Sequence, residues 1–175
     1  MRASLRLTSA LACVLLSPTL RAQAEGIAEL FAKGRYDLAL EASESITDSV
    51  LAAEWRFQIL HAAGDFPGAL AAARAGLVRD PDNLRLYQNA ATVALTLGDG
   101  AAAGELCERW RGSIERSGSA ETRASDLARV ERFRRDAQGL QSLDAQAETA
   151  ADRARWVSLA LLAGALAALL RLARR

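Results

Sequence analysis

One histidine, two cysteines, three prolines and an aromatic content of 5% leave this 175-residue chain short of several kinds of chemistry. A single histidine, His61, excludes a metal site with two imidazole ligands in one chain. Cys13 and Cys107 are too few for a disulfide scaffold. The β-branched and aromatic residues that strands favour are sparse. There is no H-E-x-x-H, no G-x-S-x-G and no G-x-x-x-x-G-K-[ST], and no nucleophile–base pair is visible. Gly98-Asp99-Gly100 with Gly104 lacks the preceding strand of a phosphate loop and reads as a turn. No enzymatic activity, cofactor or metal is therefore expected. A net charge of +1 excludes a strongly basic nucleic-acid binder. What the chain has in plenty is alanine, roughly a fifth of all residues, well above average usage. Alanine is the best helix former, so the expected fold class is all-α.

The neutral total hides an uneven distribution. Residues 1–24 and 156–175 carry arginines and no acid, while 25–155 holds 16 basic groups against 21 acidic ones. The first end reads as a signal peptide over 1–24. It has a charged start at Arg2 and Arg6, a short apolar run over 7–16, and small residues at Ala22 and Ala24 before the expected cleavage site. The second end, 156–173, reads as a transmembrane helix, with Trp156 at one interface and Arg171 snorkelling at the other. Residues 174–175 form a basic tail that the positive-inside rule keeps in the cytoplasm. These readings place a single-pass protein in the bacterial inner membrane, with its N-terminal domain in the periplasm and its C-terminus in the cytoplasm. Ala160, Gly164 and Ala168 form a small-xxx-small stripe suited to self-association in the span.

Between these ends a repeat appears. Gly34, Gly64 and Gly98 are each followed five residues later by an alanine, Ala39, Ala69 and Ala103. Each glycine suits the left-handed closure of one helix, and Asp65 and Asp99 suit the start of the next. The small residue five positions on lets two helices cross closely. Residues 80–83, Asp-Pro-Asp-Asn, end one hairpin and begin another, with Pro81 suited to a first helical turn.

These residues resemble the tetratricopeptide repeat (TPR). The match is strongest over 50–83, through Leu60, Gly64, Phe66, Ala69, Gly76, Leu77 and Pro81. Residues 84–117 match through Tyr87, Ala91, Gly98 and Ala103. They depart at Gly100, where an aromatic is usual, and at Trp110, where a small residue is usual. Residues 25–49 match through Leu30, Gly34, Tyr36 and Ala39, but their closing turn is four residues short. The resemblance implies a short right-handed α-solenoid of about three hairpins over 25–117. Residues 118–155 supply a capping and stalk helix. Its apolar residues recur at steps of three and four, from Leu127 through Val130, Phe133 and Ala137; its first part is expected to cover the last hairpin, and its later part to continue as a stalk into the membrane or to pair as a short coiled coil. Ser119 marks its expected start and Gly139 a possible bend. Its arginines 129, 132, 134 and 135 read as a solvated face among balancing acids. Cys107 reads as a small buried hydrophobe.

In the TPR family the first helix of each hairpin lines a groove that binds peptides or partner helices. Carried over by position, the groove residues are Glu54, Gln58 and His61 from one repeat and Arg85, Gln88, Asn89 and Thr92 from the next. Arg85 and Asn89, one turn apart, suit a peptide carboxylate. The expected function is a membrane-anchored, non-catalytic TPR scaffold that recruits a protein partner. Its domain order is similar to TPR proteins of Bat-type aerotolerance operons. The alternative is a small accessory or assembly subunit of a membrane complex that contacts its partners through the span.

Overall fold

The structure, a computed structural model, describes the backbone of residues 18–117, 119 and 121–173, and the side chains of 22–117, 119 and 121–159. These residues form seven helices: α1 (Pro18–Ala32), α2 (Tyr36–Ser43), α3 (Ser49–Ala63), α4 (Phe66–Arg79), α5 (Leu84–Thr96), α6 (Gly100–Ser117) and α7 (Arg123–Ala173). No strand occurs among the described residues.

Local chemistry sets the boundaries. Gly34, Gly64 and Gly98 adopt φ of 72°, 83° and 74°, the left-handed conformation that closes a helix and reverses the chain. After Gly64 and Gly98 the next helix opens on a side-chain cap, whereas α2, after Gly34 and Arg35, opens without one. Asp65 accepts from the Gly68 amide at 2.9 Å and Asp99 from the Ala102 amide at 2.8 Å. Asp48 caps α3 through the Val50 and Leu51 amides, and Asn83 caps α5 through the Leu86 amide. Pro81 lies in the turn before Asn83, not in the first helical turn.

Three hairpins result, α1/α2, α3/α4 and α5/α6, and consecutive helices pack side by side along the chain. Ala39, Ala69 and Ala103 are fully buried where the hairpins cross. One core cluster joins α3 through α7 around Phe57, Leu77, Leu86, Tyr87, Trp110 and Ile114. A smaller one, around Ile27, Ala39, Ile46 and Ile59, joins α1, α2 and α3.

Helix α7 packs on α6 and also touches α5, the position of the first helix of a fourth repeat. It explains both departures from the repeat pattern. A Cβ at Gly100 would lie 2.7 Å from the Ala137 carbonyl and 3.0 Å from Leu140 Cβ, so an aromatic there would displace α7. Gln141 donates instead to the Gly100 carbonyl at 2.9 Å. Trp110 is buried and meets Phe133 of α7 edge-on, with ring centroids 5.7 Å apart. The large ring fills the space between α6 and its cap. Cys107 is buried nearby, and desolvation pushes its thiol up to about 11. Helix α7 begins at Arg123, four residues beyond Ser119, and runs uninterrupted through Gly139. Its arginines are largely engaged: Arg134 pairs with Glu131 at 2.7 Å and Arg135 donates to the Glu131 carbonyl. From Ser142 to Leu159 every side chain is exposed, so this half of α7 leaves the bundle.

The membrane placement requires correction. No helix among the described residues is long and apolar enough to cross a membrane. Helix α7 carries Asp152, Arg153 and Arg155 just before Trp156, and its described side chains end at Leu159, so only four of them follow those charges. The single-pass, inner-membrane topology, with its periplasmic and cytoplasmic faces, is withdrawn on this ground. The side chains of 160–173, including Ala160, Gly164 and Ala168, lie outside the described residues, as does the tail 174–175. Residues 1–17 of the expected signal segment also lie outside them. Helix α1 itself runs through the expected boundary at 24, with Ala24 buried and Gln23 donating to the Ser45 carbonyl at 3.2 Å.

Candidate groove on the first helices of the hairpins

Helical spacing puts Glu54, Gln58 and His61 on one face of α3, and Arg85, Gln88, Asn89 and Thr92 on one face of α5. The two faces are joined by a charged cluster. Arg85 forms a two-pronged ion pair with Glu54, whose carboxylate also accepts from Asn83 Nδ2 at 3.2 Å. The Glu54 side chain is only 11% exposed, whereas Arg85 is 55% exposed. Partial burial lowers the Arg85 guanidinium from its ordinary value, and it stays charged at neutral pH. A second link joins α5 to α7, where Arg129 Nη1 donates to Gln88 Oε1 at 3.1 Å. Asp126 lies 3.9 Å from Arg129 and offsets its charge.

The face therefore runs over α3, α5 and α7. Gln58 and Thr92 are exposed and Asn89 is half-buried. The Thr92 hydroxyl donates to the Gln88 carbonyl at 2.8 Å, which leaves it an acceptor toward the surface. His61 stands at the hairpin end of α3. It is stacked on Phe57 at 5.6 Å and meets Phe66 edge-on at 5.4 Å. Its ring is exposed and held by these two neighbours. Charge on this face is thus paired, and its remaining hydrogen-bonding capacity is mostly amide.

Sequence reasoning missed Asn83 and Arg129. Asn83 has a helix-cap signature, which hid its second contact with Glu54. Arg129 lies in a run of arginines and acids, where nothing in the spacing singled it out. Among the described residues no group of three or more His, Cys, Asp or Glu side chains is placed to hold a metal ion.

No family model and no curated protein matches this chain. Solved structures do. The TPR2B domain of yeast Sti1, solved as a complex with pHsp70, superposes with a TM-score of 0.58 at 18% identity, over 70% of this chain and 98% of that one. A T3SS complex from Aeromonas hydrophila gives a TM-score of 0.60 at 18% identity, over 76% of this chain and 89% of that one. PcrH in complex with the chaperone binding region of PopB gives 0.54 at 19% identity, over 67% and 97%. At these identities the likeness establishes the fold. The chain is an all-α protein with a TPR-like arrangement of helical hairpins.

Proposed function

We propose that this protein is a non-catalytic adaptor that holds a peptide or protein segment across the faces of α3, α5 and α7. The observation that carries the reading is the continuity of that face, tied by Glu54–Arg85 and Gln88–Arg129, with Gln58 and Asn89 left to pair with a ligand. TPR-like structures solved with pHsp70 and with the chaperone binding region of PopB support it. Because Glu54 neutralises Arg85, the face suits main-chain recognition by amides better than capture of a free carboxylate. Crosslinking pull-down with the full chain tests it. The double variant Gln58→Ala, Asn89→Ala should weaken partner capture by about tenfold or more, the worth of one good hydrogen-bonded contact. Capture that is unchanged in this variant and in Arg85→Ala refutes the assignment.

A second reading, an assembly subunit, is favoured by the distal half of α7. Leu143, Trp156, Val157 and Leu159 are exposed there, at 61%, 72%, 60% and 56%. Replacing this half with an unrelated polar helix separates the two. An adaptor keeps its groove partner, whereas an assembly subunit loses its complex.

A further inference from the structure

Helix α2 has 8 residues, whereas its counterparts α4 and α6 have 14 and 18. The missing helix leaves a cleft of about 610 Å³ between the turn after α2 and the helices α3 and α4. Its wall is mainly apolar, with Ile46, Ala52, Ala72 and Ala75 beside the hydroxyls of Thr47 and Ser49, and it is lined as well by Arg56, Arg79 and one carboxylate, Glu44.

The next junction of the solenoid shows what belongs in such a place. Gly64 and Gly98 set an offset of 34 residues between the second and third hairpins. At that offset, Ala52, Ala53, Arg56 and Leu60 of α3 correspond to Leu86, Tyr87, Ala90 and Ala94 of α5. All four α5 residues are buried, at 0%, 2%, 0% and 0% exposure, and α4 runs on past its middle to pack against α5. Their α3 counterparts line the open cleft: Ala53 is buried at its floor, Ala52 and Leu60 are half-buried and Arg56 is exposed. The cleft is therefore a core position of the repeat that the chain leaves partly uncovered. It lies on the side of α3 away from Glu54, Gln58 and His61, so it is separate from the groove.

We propose that the cleft is a second docking site. Its occupant is a short helical segment of a partner protein, with a small apolar face and a carboxylate at its edge. The segment takes the place of the turns that α2 lacks, about 9 Å of helix at 1.5 Å per residue. The charge follows from the edge. Arg79 has no ion-pair partner among the described residues, and Arg56 meets Glu44 only at 3.8 Å with both exposed. Two guanidinium groups against one carboxylate leave a positive edge for an acidic residue. Val78, one turn from Ala75 and 75% exposed, extends the apolar margin.

The test titrates the full chain against a stapled 14-residue helical peptide. One face of the probe carries Ala and Leu and its edge carries Glu, and a matched peptide carries Lys in place of Glu. The Glu peptide should bind with a Kd on the order of 10–100 μM, and the Lys peptide about tenfold or more weaker. Ala75→Trp, which fills the cleft from an exposed position, and Arg79→Glu should each reduce binding by about tenfold or more. Both positions are exposed, and circular dichroism establishes that the variants are folded. Asn89→Ala, in the groove, should leave binding unchanged. Absence of saturable binding up to about 1 mM, equal binding of the Lys peptide, or binding that survives Ala75→Trp overturns the proposal. Loss in Asn89→Ala alone assigns the probe to the groove and also overturns it. A dimer of the chain abolished by Ala75→Trp would seat a second copy in the cleft and reject the heterologous partner.

Discussion

The two junctions between successive hairpins are built from the same repeat and end in opposite states. At α4–α5, a methyl group added to Gly76 would lie 2.6 Å from Leu86 Cδ1 and 2.9 Å from Ala53 Cβ of α3, so its neighbours would have to shift to admit one carbon more. At α2–α3–α4 there is an open cleft of about 610 Å³. The tight junction is also bolted at its edge. Ser113 and Arg116 of α6 donate to Asp82 in the α4–α5 turn, at 3.1 Å and 2.7 Å. The difference is one of length. A shorter second helix removes the layer that covers the first helix of the next hairpin. Ala52 and Ala53 then stand where the bulky Leu86 and Tyr87 stand one repeat later, whereas Arg56 and Leu60 stand where Ala90 and Ala94 are buried. Close packing in this solenoid is therefore a property of each junction and not of the repeat.

Exchange of the register-equivalent pair should show the contrast most strongly. Leu86→Ala opens a cavity in the tight junction and should cost about 2–5 kcal/mol, whereas Ala52→Leu in the open one should change stability by less than about 0.5 kcal/mol. Chemical denaturation of both variants measures the gap, and equal costs would erase the distinction. Gly76→Ala comes next, at about 1–3 kcal/mol of overpacking, despite alanine's better helix propensity. If its midpoint rises instead, the junction has room to give.

Reactivity gives a third measure. Cys107 is buried in the core that the tight junction shares with α7, with its thiol raised to about 11. The neutral thiol should therefore resist alkylation at pH 8 in the native chain and react only as fast as the chain opens. Leu86→Ala should accelerate that reaction and Ala52→Leu should not.

The smallest effect concerns pH. The hydrogen bond from Arg116 holds the Asp82 carboxyl below its ordinary value of 3.8. A carboxyl depressed in the folded state stabilises above its unfolded pKa, and that contribution is lost as pH falls through the folded value. The bolt should thus be intact at pH 5 and weaken below about pH 4. In Asp82→Asn this part of the acid transition should be absent, as read from melting temperature against pH.

Much of the fold was legible because its punctuation is local. Gly34, Gly64 and Gly98 close helices, and Asp65 and Asp99 open the next ones through amides three residues away. Ala39, Ala69 and Ala103 are small where the hairpins cross. The four-residue shortfall before α3 was visible too, but its consequence was not. The terminal apolar segment was legible only as composition, and composition led to the membrane topology that the structure does not support. The helix faces carrying Glu54, Gln58 and His61 and Arg85, Gln88, Asn89 and Thr92 were legible from spacing, and the ion pair between them was not. Arg85 and Asn89 suggested a carboxylate site, yet Arg85 is engaged by Glu54.

The sequence by itself determined where most of the repeat helices start and stop and which pairs form hairpins. These outcomes depend on backbone conformation and hydrogen bonds within a few residues of each other. Only the tertiary structure decided which faces are covered. The Glu54–Arg85 pair spans 31 positions and the Gln88–Arg129 pair 41, and α7 seats against Gly100 from a similar distance. Contacts at that separation follow from how long each helix is and what the next layer leaves exposed. That is why the cleft beside α3 and the paired charges on its other face emerge only when the layers are stacked.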